Sequence, residues 1–216
     1  MSTQSPIILK LSETAIESSK IHIAADFIRQ GKLVVFPTDT SYGLGANVTD
    51  VRAVTKIFQL KQRPLNKPIH IVVSSLQMAE DYAFVPKSAL KLAQHFLPGP
   101  LTLVLRKRET ISDLLSGGKE TIGIRMPDNR IALALVERAG VPITATSANV
   151  SGRPDTYSIQ DAFDQLGNKV DLYLDIGILP KKLPSTILDL TSDPPEIIRK
   201  GPISINQILE TLRTVQ

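Results

Sequence analysis

Short apolar runs alternate along the chain with stretches whose apolar residues recur every three or four positions. The runs predict buried strands over residues 7–11, 33–36, 69–73, 101–105, 121–125, 143–147, 172–174, 186–190 and 197–199. The longer spacing predicts helices over 19–30 (Ile21, Ala24, Ala25, Ile28), 50–61 (Val51, Val54, Ile57, Phe58), 86–97 (Leu90, Ala93, Phe96), 129–139 (Ile131, Leu135, Val136) and 158–166. A last helix follows Ser204, which pairs with Gln207 as a capping box. Gly31 and Gly140 supply left-handed stops. Residues 38–47 follow neither period. They form a polar, glycine-bearing loop at a strand end, where α/β sheets place their ligands. Strands and helices interleave without a repeat or linker, so residues 1–216 are expected to form one α/β domain. Several late strands lack an intervening helix, which predicts a twisted open sheet, mixed and mostly parallel, flanked by helices.

Composition narrows the function. With 42% apolar residues, 5% aromatics and no tryptophan, the core must be aliphatic. A net charge of +4 favours an anionic partner such as a nucleotide, phosphate or RNA. The absence of cysteine excludes disulfides, thiolate chemistry and cysteine-ligated zinc. Three scattered histidines (His22, His70, His95) do not resemble a metal site. No apolar run approaches the roughly 18 residues of a membrane span, and residues 1–6 lack the form of a signal peptide, so a cytoplasmic protein is expected.

Candidate chemistry gathers at four places. The stretch Lys61-Gln-Arg-Pro-Leu-Asn-Lys-Pro68 sets three cations between a helix and a strand, braced by two prolines. Arginine grips phosphate with a planar fork and lysine acts as a point charge. The same cations could instead serve the helix C-terminus. The Thr38–Tyr42 loop offers hydroxyls to a small polar substrate, or is a self-capped turn. Arg125, at a strand end before Met126-Pro127, suits a carboxylate or phosphate, or a surface ion pair. Ser147-Ala-Asn-Val-Ser-Gly152 is dense in hydroxyl, amide and flexible backbone. No phosphate loop of the G-x-x-x-x-G-K-[ST] form is present, Val48 breaks the dinucleotide fingerprint begun by Gly43-Leu-Gly45, and no G-x-S-x-G elbow surrounds Ser147. Strand alternation places His70 and Val72 on one face.

Taken in order, Pro37-Thr-Asp-Thr-Ser-Tyr-Gly-Leu-Gly-Ala46, Lys61-Gln-Arg-Pro64, Pro98-Gly-Pro-Leu-Thr102, Gly123-Ile-Arg-Met-Pro127, Ser147-Ala-Asn-Val-Ser-Gly152, Ser185-Thr186 and Arg199-Lys-Gly201 resemble the YrdC-like family over about residues 31–204. The resemblance implies that fold, in a short form without an extra C-terminal domain. It implies a nucleotidyltransferase that joins L-threonine, bicarbonate and ATP, with Mg²⁺, into threonylcarbamoyl-AMP and pyrophosphate. A downstream threonylcarbamoyl transferase complex would then modify adenosine 37 of tRNA. Direct binding of tRNA or double-stranded RNA is a further implied partner, and an RNA-binding module without synthase activity is the competing expectation. Carried over by motif, Thr40, Arg125, Ala145, Ser185 and His70 contact threonine. Arg63, Lys67, Thr121, Ser147, Asn149, Asp155 and Arg199 surround ATP. Lys61 and Arg63 are the catalytic cations. The chain departs from the family at Val72, where many members have histidine, at Lys67, a frequent asparagine, and at Asp155, more often a small hydroxyl residue.

Overall fold

Side-chain caps set most helix starts in the computed structural model, which describes residues 5–213. Asp50 accepts from the Arg52 and Ala53 amides, and Asn129 from Ile131 and Ala132. Ser158 and Asp161 form a capping box, and Ser204 and Gln207 bond reciprocally as predicted. Along the chain the elements are β1 (Ile7–Lys10), α1 (Ser18–Arg29), β2 (Val34–Phe36), β3 (Gly43–Gly45), α2 (Val51–Lys61), β4 (His70–Val72), α3 (Leu76–Glu80), α4 (Lys87–Phe96), β5 (Leu101–Arg106) and α5 (Asp113–Ser116). They continue with β6 (Thr121–Arg125), α6 (Arg130–Ala139), β7 (Ile143–Ser147), α7 (Ile159–Leu166), β8 (Leu172–Asp175), β9 (Thr186–Asp189), β10 (Glu196–Arg199) and α8 (Ile205–Arg213).

The strands form one sheet in the order β1-β8-β2-β3-β7-β4-β6-β5-β9-β10. Pairings β1–β8, β2–β8, β4–β6 and β5–β9 are parallel, and β2–β3, β3–β7, β4–β7, β5–β6 and β9–β10 antiparallel. The sheet is therefore mixed, as the helix-free late strands predict.

Three local expectations are corrected. Part of the stretch read as a loop, Gly43–Gly45, is the interior strand β3. A Cβ on either glycine would stand about 3.0 Å from the Phe36 ring, so only glycine lets β2 and β3 pack this closely. Glycine's poor strand propensity conceals such a strand. Helix α4 buries Ala89, Leu92 and Ala93, a face rotated from the predicted Leu90, Ala93 and Phe96. The short helices α3 and α5 carry too few apolar positions to show a period.

Strand alternation divides the core. Val35, Ile71 and Val73 point to one face, beneath a cluster that includes α2, α4 and α7. Val34, Phe36 and Val72 point to the other, where α1 and α6 pack against each other. These two helices cover part of that second face, and the cavity described next opens on it.

Candidate functional site

The turn after α2 aims the first cation. Gln62 caps the helix in the left-handed region (φ 51°), a conformation that costs a non-glycine residue on the order of 1–3 kcal/mol. The Arg63 amide bonds back to Phe58 O. The Arg63 guanidinium then donates through Nε to Lys67 O (3.2 Å) and through Nη2 to Pro68 O (2.8 Å). The proline-bearing turn thus grips the arginine by two carbonyls and leaves its remaining N–H groups available.

A second loop winds around one hydroxyl. Thr38 Oγ1 accepts from the Thr40 and Ser41 amides and donates to Ser41 O at 2.6 Å. The tight turn carries Asp39 and Thr40 to β6, where Arg125 Nη2 donates to Asp39 Oδ1 (2.6 Å) and Thr40 Oγ1 (2.9 Å). The ion pair is internal, with side chains 7% and 13% exposed, which rules out a surface pair. Asp39 Oδ2 and Arg125 Nε are buried without a partner. Burial presses the Arg125 pKa down while Asp39 holds it up, and the guanidinium stays charged.

The third segment pivots on Lys61. Its ammonium donates to Ser147 O, Asn149 O (2.6 Å) and Asn149 Oδ1 (3.0 Å). All three protons are spent, and the residue is 1% exposed. Ser147 Oγ donates to the same Asn149 Oδ1, and Asn149 Nδ2 to Arg153 O. Burial, then the neighbouring Arg63, lowers the Lys61 pKa to about 7. The fourth segment is held from β10, where Arg199 donates to Ser185 O and Ser185 Oγ, and Ser185 Oγ pairs with Thr102 Oγ1 at 2.8 Å.

These segments meet in one cavity of about 190 Å³. Arg63, Arg125 and Arg199 converge there from α2's end, β6 and β10. Thr40, His70, Ala145, Ser147, Asp155 and Ser185, all named from sequence, line it too. His70 and Val72 both reach it, as their shared strand face predicts.

The remaining named residues lie elsewhere. Lys61 is not among the lining residues; its ammonium holds the 147–149 loop through Ser147 O and Asn149 O. Asn149 is buried in that framework as well. Lys67 is exposed and Thr121 half-buried, both outside the cavity lining. Thr102, Phe36 and the Asp39–Arg125 pair escaped sequence reasoning. Thr102, the one polar residue in an otherwise apolar run, carries a usable signal, whereas nothing local announces a pair 86 residues apart.

Among the described residues no group of three or more His, Cys, Asp or Glu side chains could hold a metal ion. No helix there is long and apolar enough to cross a membrane.

The model of the Sua5_yciO_yrdC family, described as telomere recombination, matches residues 26–201. The chain is 42% identical over 97% of its length to the threonylcarbamoyl-AMP synthase of Pyrococcus abyssi, of which it spans 62%. It is 38% identical over 93% of its length to a putative threonylcarbamoyl-AMP synthase of Methanocaldococcus jannaschii, spanning 96% of that protein. In three dimensions it matches P. abyssi Sua5 complexed with L-threonine, with a TM-score of 0.91 at 43% identity, over 96% of this chain and 61% of that one. It also matches Escherichia coli YciO, with a TM-score of 0.83 at 30% identity, over 94% and 98%.

Proposed function

The chain belongs to the Sua5/YciO/YrdC family, and from that premise we propose that it is a threonylcarbamoyl-AMP synthase. One observation carries the reading. Arg63, Ser147 and Arg199, from three distant segments, share a single cavity with Arg125, which Asp39 pairs from the neighbouring loop. Separate surfaces for these residues would have removed any common anion site.

The chemistry assigns two regions. Arg125 offers a planar fork to the threonine carboxylate, with Thr40, Ser185 and the β7 backbone at Ala145 around it. Arg63, Arg199 and Ser147 face the ATP phosphates, and the nucleotide runs out past Lys67 and Thr121. The threonine nitrogen attacks the carbon of bicarbonate and water leaves, giving a carbamate. A carbamate oxygen then attacks the α-phosphorus, and pyrophosphate leaves. No side chain here is an obvious covalent nucleophile. The protein acts by alignment, worth at most about 7–11 kcal/mol, and by fixed positive charge.

Mg²⁺ fits this donor set. Among the described residues Asp155 is the one carboxylate that lines the cavity, and Mg²⁺ is commonly held by one or two carboxylates together with substrate phosphates and water. There it would neutralise phosphate charge and make an acidic residue tolerable beside an anion. The adenylate product needs a downstream transferase that delivers the threonylcarbamoyl group to tRNA.

The test is threonine-dependent pyrophosphate release from ATP and bicarbonate. Folded protein that releases none, yet binds RNA with steep salt dependence, would establish the RNA-binding module instead.

A further inference from the structure

Residues 176–185 join β8 to β9, the second and ninth strands across the sheet, and contain no helix, strand or turn. Seven strand spacings of about 4.8 Å come to about 34 Å on a flat sheet, and ten residues reach at most about 33–36 Å. The connection therefore runs nearly straight from one side of the sheet to the other. Both of its ends are fastened at the cavity. Tyr42, which lines the cavity, donates its hydroxyl to Gly177 O (2.8 Å) and accepts from the Ile176 amide (3.1 Å). Burial lifts the Tyr42 pKa to about 12, so the phenol keeps the proton it donates. Leu179 is buried, and its amide donates to Tyr157 O. At the far end Arg199 and Thr102 hold Ser185, which lines the cavity beside Pro184.

The middle is loose. No hydrogen bond joins residues 180–184 to the other described residues. Lys181, Lys182 and Leu183 stand exposed, and Lys181 leans over the Tyr157 ring at 5.7 Å from its centroid. Pro180 and Pro184 fix their own φ angles and keep the span from coiling. A span with few contacts between firm anchors opens and closes at little cost. Charge decides which state wins. Arg63, Arg125 and Arg199 line the cavity, and among the described residues Asp155 is the one carboxylate there to offset them. Two lysines are repelled by such a wall, and a bound polyphosphate reverses the sign of that interaction.

We infer that residues 180–184 form a strap that closes over the cavity when ATP occupies it, with Lys181 and Lys182 drawn to the phosphates and Leu183 turned inward. This rests on the synthase reading above and adds to it a nucleotide contact and a shield against water. Closure serves that chemistry, because a carbamate and an adenylate are both lost to hydrolysis in an open site.

Trypsin reads the strap directly, since it cuts after Lys181 and Lys182. Wild type is digested under native conditions alone, with ATP and Mg²⁺, and with L-threonine. The expected result is at least tenfold slower cleavage after Lys182 with ATP, little change with threonine, and unchanged cleavage after the exposed Lys119. Bound ATP could shield the bond without any movement, so a second measurement follows the strap itself. The chain has no tryptophan, and Leu183→Trp should shift its emission to the blue when ATP is added. Adding Lys181→Gln and Lys182→Gln to that chain should abolish most of the shift and weaken ATP binding about tenfold by calorimetry, with threonine binding within twofold. Cleavage indifferent to ATP, or a tryptophan emission that does not move, overturns the inference. Unchanged ATP affinity in the chain lacking both lysines overturns it as well. Wild type that binds no ATP removes the synthase reading itself, and calorimetry shows this before any digestion.

Discussion

Replacing Lys61 with methionine distinguishes a buried strut from a phosphate ligand. The substitution keeps an unbranched apolar stem, removes the ammonium, and leaves Ser147 O and Asn149 O without their donor. Asn149 Oδ1 still receives Ser147 Oγ. The informative quantity is the pH dependence of the stability difference. The folded-state pKa is lowered to about 7, while the unfolded chain titrates near 10.5. Between those values the unfolded chain holds more protons, so the Lys61 contribution to wild-type stability rises with pH. Below about 7 the group is protonated in both states, and the full penalty of burying its charge is present. Integrated from pH 7 to 9, the rise is about 2 kcal/mol at 1.36 kcal/mol per unit, less than two full units because the folded group is already half deprotonated at pH 7. For a chain of this size that is roughly 4–8 °C in melting temperature. Wild type should therefore gain on Lys61→Met by up to that amount as pH rises, and subtracting the variant cancels the other titrations. Activity should be lost at every pH, because the Ser147–Asn149 loop is no longer held. A stability difference flat in pH, with ATP binding abolished, would refute the reasoning and return the ammonium to the phosphates.

Three further outcomes follow from the same geometry. Arg125→Lys keeps the charge but cannot hold Asp39 Oδ1 and Thr40 Oγ1 while presenting a fork, so threonine affinity should fall about tenfold or more with ATP affinity nearly intact by calorimetry. Equal damage to both ligands would contradict the division of the site. Arg63→Ala should weaken ATP binding by about 1.5–3 kcal/mol, the worth of a charge-assisted bond, with a melting shift of only a few degrees. A collapsed melt with full activity in the folded remainder would argue against a phosphate role. Gly123→Ala should destabilise by about 1–3 kcal/mol through its clash with His70, and His70→Ala in the same chain should restore much of the loss in a double-mutant cycle.

The sequence by itself determined what local physics can encode. Apolar runs and helical spacing placed most elements, Ser204 with Gln207 marked a helix start, and helix-free late strands implied a mixed sheet. The ordered motifs singled out the side chains that reach the cavity, His70 and Arg125 among them. Tertiary structure alone decided which of those residues line the cavity and which brace it. Gly43–Gly45 is a strand only because Phe36 lies against it. Lys61 is a strut because α2 delivers its ammonium into carbonyls 86 and 88 residues away. Arg125 is oriented by Asp39 across a comparable span. Burial and long-range pairing set protonation and direction, and neither property resides in a stretch of chain short enough to carry a pattern.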